Sequence, residues 1–153
     1  MQKELTIILG PTGVGKTDYS IELAKEYSSP IINCDSRQIY KEMNIGTASP
    51  SPEQLEAVRH YFIHTHSVTQ YYTAGLYELE AMALLEELFK THDKLVMVGG
   101  SGMYIDALCN GLDDFPPADL QLRDSLMKRL ETEGIESLRN ELRVVDRDRK
   151  SVV

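Results

Sequence analysis

Gly10-Pro11-Thr12-Gly13-Val14-Gly15-Lys16-Thr17 satisfies the pattern G-x-x-x-x-G-K-[ST] in full. Glycines at those positions let the backbone wrap so that its N–H groups point inward at phosphate oxygens, and a helix N-terminus behind them adds a favourable dipole. Lys16 would neutralise the terminal phosphates, and the Thr17 hydroxyl would help to hold Mg²⁺. The pattern specifies a polyphosphate. Nothing in it demands a nucleotide base, and a diphosphate ester fits equally well.

Two further groups could bring chemistry to that loop. Asp35, followed by Ser36-Arg37-Gln38, could serve as a general base or as a partner of Mg²⁺. Its alternative is a surface turn aspartate. Gly99-Gly100-Ser101-Gly102 could present a hydroxyl and backbone N–H groups, or form a plain strand-to-helix turn. His60, His64 and His66 suggest a metal, and His64 and His66 would share one face of a strand. Neither cysteine nor carboxylate stands at ligand spacing, so ordinary polar positions are the better reading. Tyr71, Tyr72 and Tyr77 could stack on bases, although such tyrosines more often pack half-buried. Cys34 and Cys109 have no C-x-x-C partner and read as free buried thiols.

The elements needed to position these groups are legible in the spacing. Leu5–Leu9 is a continuous apolar run, as in a parallel strand buried on both faces. It leads through the glycine loop into an amphipathic helix over 17–27, and Ile31–Cys34 follows as a parallel neighbour across the helical crossover. Asp35 then sits at a strand's carboxyl end, where open parallel sheets bind ligands. Residues 43–51 read as a loop, and Ser51 caps a helix over 52–59 with Pro52 in its first position. A strand is expected near 61–63. Leu76, Leu79, Glu80, Ala83, Leu84 and Leu88 then mark the stripe of a long helix starting at Thr73 and ending near His92-Asp93. A third buried strand, 95–98, precedes the second glycine loop and a helix over 103–109. Asp113, Asp114, Pro116 and Pro117 suit a boundary, after which 119–133 and 135–143 read as charged helices separated by Gly134.

Composition narrows the class. The 153 residues are 42% hydrophobic and 26% charged, in the range of one globular domain. The longest apolar runs are too short to span a bilayer, and the start lacks the features of a secretory leader, so a soluble, cytoplasmic protein without membrane contact is expected. The net charge of −8 comes from residues 1–118, which hold 16 acidic and 8 basic side chains, while 119–153 hold 8 of each. Such a balance opposes nonspecific nucleic-acid binding and leaves room for a specific local site.

Taken together, the phosphate loop, Asp35-Ser36-Arg37-Gln38-Ile39-Tyr40, Ile45-Gly46-Thr47-Ala48 and Val98-Gly99-Gly100-Ser101-Gly102-Met103-Tyr104 resemble the tRNA dimethylallyltransferase family in order and spacing. Weaker similarity lies at 60–64, at Tyr72-Thr73-Ala74 with Tyr77, and at 119–123. The resemblance implies a P-loop NTPase-like α/β core over 1–111, with a parallel sheet flanked by helices. It further implies the start of a helical tRNA-binding insertion over 112–147. The implied activity is transfer of a dimethylallyl group from dimethylallyl diphosphate to the exocyclic amine of the adenosine 3′ of the tRNA anticodon, with Mg²⁺ as cofactor.

By the same resemblance, Gly10 to Thr17 hold the diphosphate and Thr17 the metal, while Lys16, Asp35 and Ser101 are catalytic. Asp35 is the general base. Asp35, Ser36, Arg37, Gln38, Ser101 and Arg123 contact the anticodon stem-loop of a tRNA. Two positions depart from the family pattern: Ser101 stands where threonine is usual, and Arg59-His60-Tyr61 where proline and two histidines are usual. Family members are longer, so the resemblance implies an incomplete fold, monomeric and inactive on its own. Asp148-Arg149-Lys150-Ser151-Val152-Val153 matches what a common sequencing adapter encodes, and 148–153 is expected to be a non-native tail. Two alternatives use the same loop: a small-molecule kinase acting with ATP, and a nucleotide-binding module without chemistry.

Overall fold

The computed structural model describes residues 2–112 and 119–146, which belong to two compact units divided after Leu112. The expected boundary residues Asp113, Asp114, Pro116 and Pro117, and the expected tail 148–153, lie outside the described residues.

The first unit runs β1 (Glu4–Leu9), α1 (Lys16–Tyr27), β2 (Ile31–Asn33), α2 (Pro52–Ala57), β3 (His60–Tyr61), α3 (Ala74–Leu88), β4 (Lys94–Gly99) and α4 (Gly102–Asn110). Its strands form a parallel sheet in the order β1-β4-β2-β3. The chain leaves β1 through α1 and returns one strand away, so β2 is not the direct neighbour of β1. β4 takes the gap, pairing Leu5 with Leu95 on one side and Ile31 with Val96 on the other. That position suits it, since Leu95–Gly99 is buried throughout whereas β1 is only half-buried. The expectation that β1 is buried on both faces holds only in part: Leu5 and Ile7 pack toward one core cluster and Ile8 toward the other, but all remain half-buried, and among the described residues the strand pairs with β4 alone.

Alternation along the strands divides the core between the faces. Ile31, Val96 and Val98 pack with Ile21 and Ala24 of α1, while Ile32, Leu95 and Met97 pack with Tyr77, Ala81 and Leu85 of α3 and Tyr104 of α4. The stripe of α3 is rotated from the one that spacing suggests. Tyr77, Ala81, Leu85 and Leu88 are buried, whereas Leu79 is 68% exposed. Apolar residues surround this helix, so several stripes satisfy the period. The one chosen sends a large ring into the core and lets the small Ala81 bring the helix close to the sheet.

Local boundaries follow from backbone chemistry. Ser51 Oγ accepts from Gln54 N–H, and Gln54 Oε1 accepts from Ser51 N–H at 2.9 Å, a reciprocal cap that starts α2. α2 is shorter than expected because Val58 turns extended, which lets the Arg59 carbonyl accept from Ile31 N–H at 2.9 Å. β3 begins at His60 and stops before Phe62, whose φ of +61° ends the extended backbone. His64, at φ +51°, likewise lies outside any strand, so His64 and His66 do not share a strand face. Cys34 is buried as expected; Cys109, near the end of α4, is exposed.

The second unit is a pair of helices, α5 (Leu120–Glu133) and α6 (Ile135–Val145). Asp119 caps α5 through Leu122 N–H at 3.0 Å, and Gly134, at φ +78°, separates the helices. Leu126, Leu138, Leu142 and Val145 line a shared apolar groove, and Arg129 ties the pair by donating to Glu141 at 2.6 Å. Among the described residues no helix is long and apolar enough to cross a membrane.

Candidate active site

The carboxyl ends of β1, β2 and β4 open onto one cavity of about 240 Å³. Its first wall is the glycine loop. Gly13 and Gly15 take φ of +86° and +87°, conformations that an L side chain resists. Gly15 caps α1 without a side-chain bond, which leaves the amides of the first helical turn available to an anion. Thr12, Gly13, Gly15, Lys16 and Thr17 line the cavity; Gly10, Pro11 and Val14 shape the loop from outside it. Lys16 Nζ donates to the Pro11 carbonyl at 2.7 Å, so the cation rests on its own loop.

The second wall is the turn after β2. Asp35 Oδ1 accepts from Arg37 N–H at 2.8 Å and from Gln38 N–H at 3.3 Å, which fixes the carboxylate and leaves Oδ2 without a partner among the described residues. Behind it the second glycine loop docks closely. Cys34 N–H donates to the Val98 carbonyl at 2.8 Å and Ser101 N–H to the Cys34 carbonyl at 3.2 Å. A Cβ on Gly99 would come within 2.6–2.7 Å of Cys34, so this close approach requires glycine. Burial pushes the Cys34 thiol up to about 12 and keeps it protonated.

Ser101 and Ser36 do not line the cavity, and Gln38, which does, is engaged along its rim. Ser101 Oγ accepts from Ser36 N–H at 2.7 Å and donates to Ser36 Oγ at 2.9 Å, so it braces the Asp35 turn from outside. Gln38 Nε2 donates to the Thr47 and Ala48 carbonyls, both at 3.0 Å, and ties the loop after β2 to the rim. Arg37 is exposed beside them. Arg123 is exposed on α5, in the second unit.

Spacing alone did not single out Asn33, Asp18, Pro50 and Gln54, which line the cavity together with Ala48 and with His60, one of the three histidines weighed as metal ligands. Gln54 Nε2 donates to Asp18 Oδ1 at 2.6 Å, which joins α2 to α1. A polar Asn33 inside an apolar strand was the readable signal; its Nδ2 donates to the Phe62 carbonyl at 3.1 Å, and its backbone carbonyl accepts from the Tyr77 hydroxyl at 3.0 Å. His60 Nδ1 lies 2.8 Å from the Val58 carbonyl, which can only accept, so Nδ1 carries the proton. Its Nε2 is buried without a partner among the described residues, and burial lowers its pKa.

The other histidines have separate duties. His64 reaches Ser49 at 3.3 Å, and His66 packs on Tyr72 with centroids 4.1 Å apart. Among the described residues no three His, Cys, Asp or Glu side chains are grouped to hold a metal. Tyr77 is fully buried in the core and Tyr72 donates to Glu80 at 2.8 Å, whereas Tyr71 is exposed.

Comparison with known proteins accords with this geometry. The family model described as IPP transferase matches residues 38–152. A tRNA dimethylallyltransferase of Parabacteroides distasonis is 51% identical over 93% of this chain and 48% of its own. One from Bacteroides fragilis is 46% identical over 99% of this chain and 50% of its own. The solved full-length tRNA isopentenylpyrophosphate transferase of Bacillus halodurans superposes with a TM-score of 0.69 at 30% identity, covering 97% of this chain and 49% of its own. This chain thus spans about half the length of the curated relatives it matches. The sheet, the glycine loop and the match over 38–152 together place the chain in the IPP transferase family.

Proposed function

We propose that this chain carries the donor site of a tRNA dimethylallyltransferase. The exocyclic amine of the adenosine 3′ of a tRNA anticodon attacks C1 of dimethylallyl diphosphate. An N–C bond forms, the C–O bond to diphosphate breaks, and the amine proton passes to a base. The observation that carries this reading is the meeting, in one cavity, of the phosphate loop with an Asp35 carboxylate that keeps one oxygen unengaged.

Each residue then has a defined task. The loop amides and Lys16 hold the diphosphate and stabilise its charge as it leaves, for which Lys16 gives up the Pro11 carbonyl. Asp35 Oδ2 accepts the proton. Ser101 and Ser36 act through the turn, by holding Asp35 in place. Gln38, Arg37 and Arg123 are proposed tRNA contacts, with Gln38 working chiefly by holding the rim loop. The cavity's oxygen donors suit a hard cation: Mg²⁺ would be held by the Thr17 hydroxyl and phosphate oxygens, with Asp18 and Asp35 nearby. When bound, it supplies charge neutralisation to the diphosphate.

The kinase alternative shares the loop but finds no support among the relatives matched, which carry transferase names. Thermal unfolding with Mg²⁺ tests the donor. Dimethylallyl diphosphate at about 100 times its dissociation constant stabilises a folded site by roughly 2.7 kcal/mol. A shift lost in Lys16→Ala and exceeding that given by ATP is expected; a larger ATP shift would overturn the reading.

A further inference from the structure

Ile45 is 97% exposed, and nothing in the site described above uses it. The loop that carries it is nevertheless held firmly. Thr47 Oγ1 donates to the Met43 carbonyl at 2.7 Å and closes a short loop with Ile45-Gly46 at its apex. Gln38 grips the Thr47 and Ala48 carbonyls from below, and Thr47 Oγ1 and Ser49 Oγ lie 2.9 Å apart. Gly46 and Ala48 sit at φ of +80° and +51°; for alanine that backbone is unfavourable and persists because these bonds impose it. Ala48 lines the cavity, so the apex stands three residues from the site on its rim.

A branched apolar side chain displayed on a pinned loop beside a reaction cavity calls for a partner that is itself apolar on its faces. The proposed acceptor offers one. Its adenine must leave the base stack to reach the prenyl carbon, which opens a gap between the neighbouring bases. Proteins that unstack bases fill such gaps with Phe, Leu, Ile, Met or Pro. We infer that Ile45 is a wedge that enters the base stack of the RNA loop as the target adenosine turns into the cavity. This inference rests on the proposed reading that the acceptor is an RNA adenosine.

The test uses this chain and an anticodon stem-loop RNA carrying 2-aminopurine at the target position, whose fluorescence rises when the base is unstacked. With the wild-type chain, binding and the rise are expected together. In Ile45→Ala, RNA affinity falls by roughly 5- to 20-fold and the rise drops below half, while Ile45→Leu restores both. Binding of dimethylallyl diphosphate and the unfolding midpoint stay at wild-type values in both variants. Equal fluorescence in wild type and Ile45→Ala would overturn the wedge and leave the RNA reading standing. A lowered unfolding midpoint in Ile45→Ala would also overturn the wedge, because the side chain would then serve the fold. A wild-type chain that binds the prenyl diphosphate but not the RNA would remove the acceptor reading, and the wedge with it.

Discussion

Asp35 offers a clean separation between positioning and chemistry. Asparagine keeps an Oδ1 that can accept from Arg37 N–H and Gln38 N–H, so the turn survives, but it cannot take up a proton. Where this donor site turns over, loss of the Asp35 carboxylate is expected to lower turnover about 100- to 10,000-fold. Asp35→Asn in this chain should leave donor binding intact. Transfer kinetics and a binding isotherm check the two halves, and a parallel loss of both would refute a base role. His60 gives a pH signature. Its folded pKa lies below the usual 6.5 because burial disfavours the charged ring, so the unfolded chain binds the extra proton first. Its contribution to stability is complete above 6.5 and is lost as pH falls through that value. Unfolding midpoints between pH 7.5 and 5.5 should therefore fall more steeply in wild type than in His60→Asn, where an amide can still donate to the Val58 carbonyl.

Among the elements, α3 separates what periodicity can tell from what it cannot. A helix starting at Thr73 was legible from its apolar content, and the structure adds that Thr73 is its cap, with Oγ1 accepting from Leu76 N–H at 3.2 Å. Its inward face was misread because the leucines Leu76, Leu79 and Leu84 were given weight over Tyr77 and Ala81, although Tyr77, Ala81, Leu85 and Leu88, spaced by four, four and three, make the narrower stripe. Two substitutions measure that choice by denaturant unfolding. Leu79→Ala should change stability by no more than about 0.5 kcal/mol. Tyr77→Phe strips the buried hydroxyl from the Asn33 carbonyl and should cost about 1–3 kcal/mol. The glycine loops were more transparent, since their spacing carries their function directly. Their mutual docking was not: nothing in the order of residues announces that Ser101 closes on Ser36, or that Gly99 leaves room for Cys34.

For the molecule as a whole, parallel strands and flanking helices could be read from buried apolar runs joined by crossovers, and strand order could not. Runs at 5–9, 31–34 and 95–98 look alike in sequence, and only packing decides that the last takes the centre. Hydrogen exchange registers this order. Amides of Val96–Val98, paired on both sides, should exchange slowest, and those of β1 measurably faster, since β1 has one partner strand among the described residues. Equal protection in both strands would contradict the arrangement. The residues implied for tRNA contact are divided between the units, Arg37 and Gln38 in the first and Arg123 in the second. Sequence similarity could suggest that grouping; spacing along one chain could not supply its geometry.

The unequal lot of the two cysteines has a practical corollary. Cys34 is enclosed and held protonated beside Gly99, whereas Cys109 stands exposed near the end of α4, the helix that begins just after Ser101. A maleimide dye should therefore attach at Cys109 alone, giving a singly labelled chain with no engineered cysteine and an optical reporter on the helix that braces the Asp35 turn.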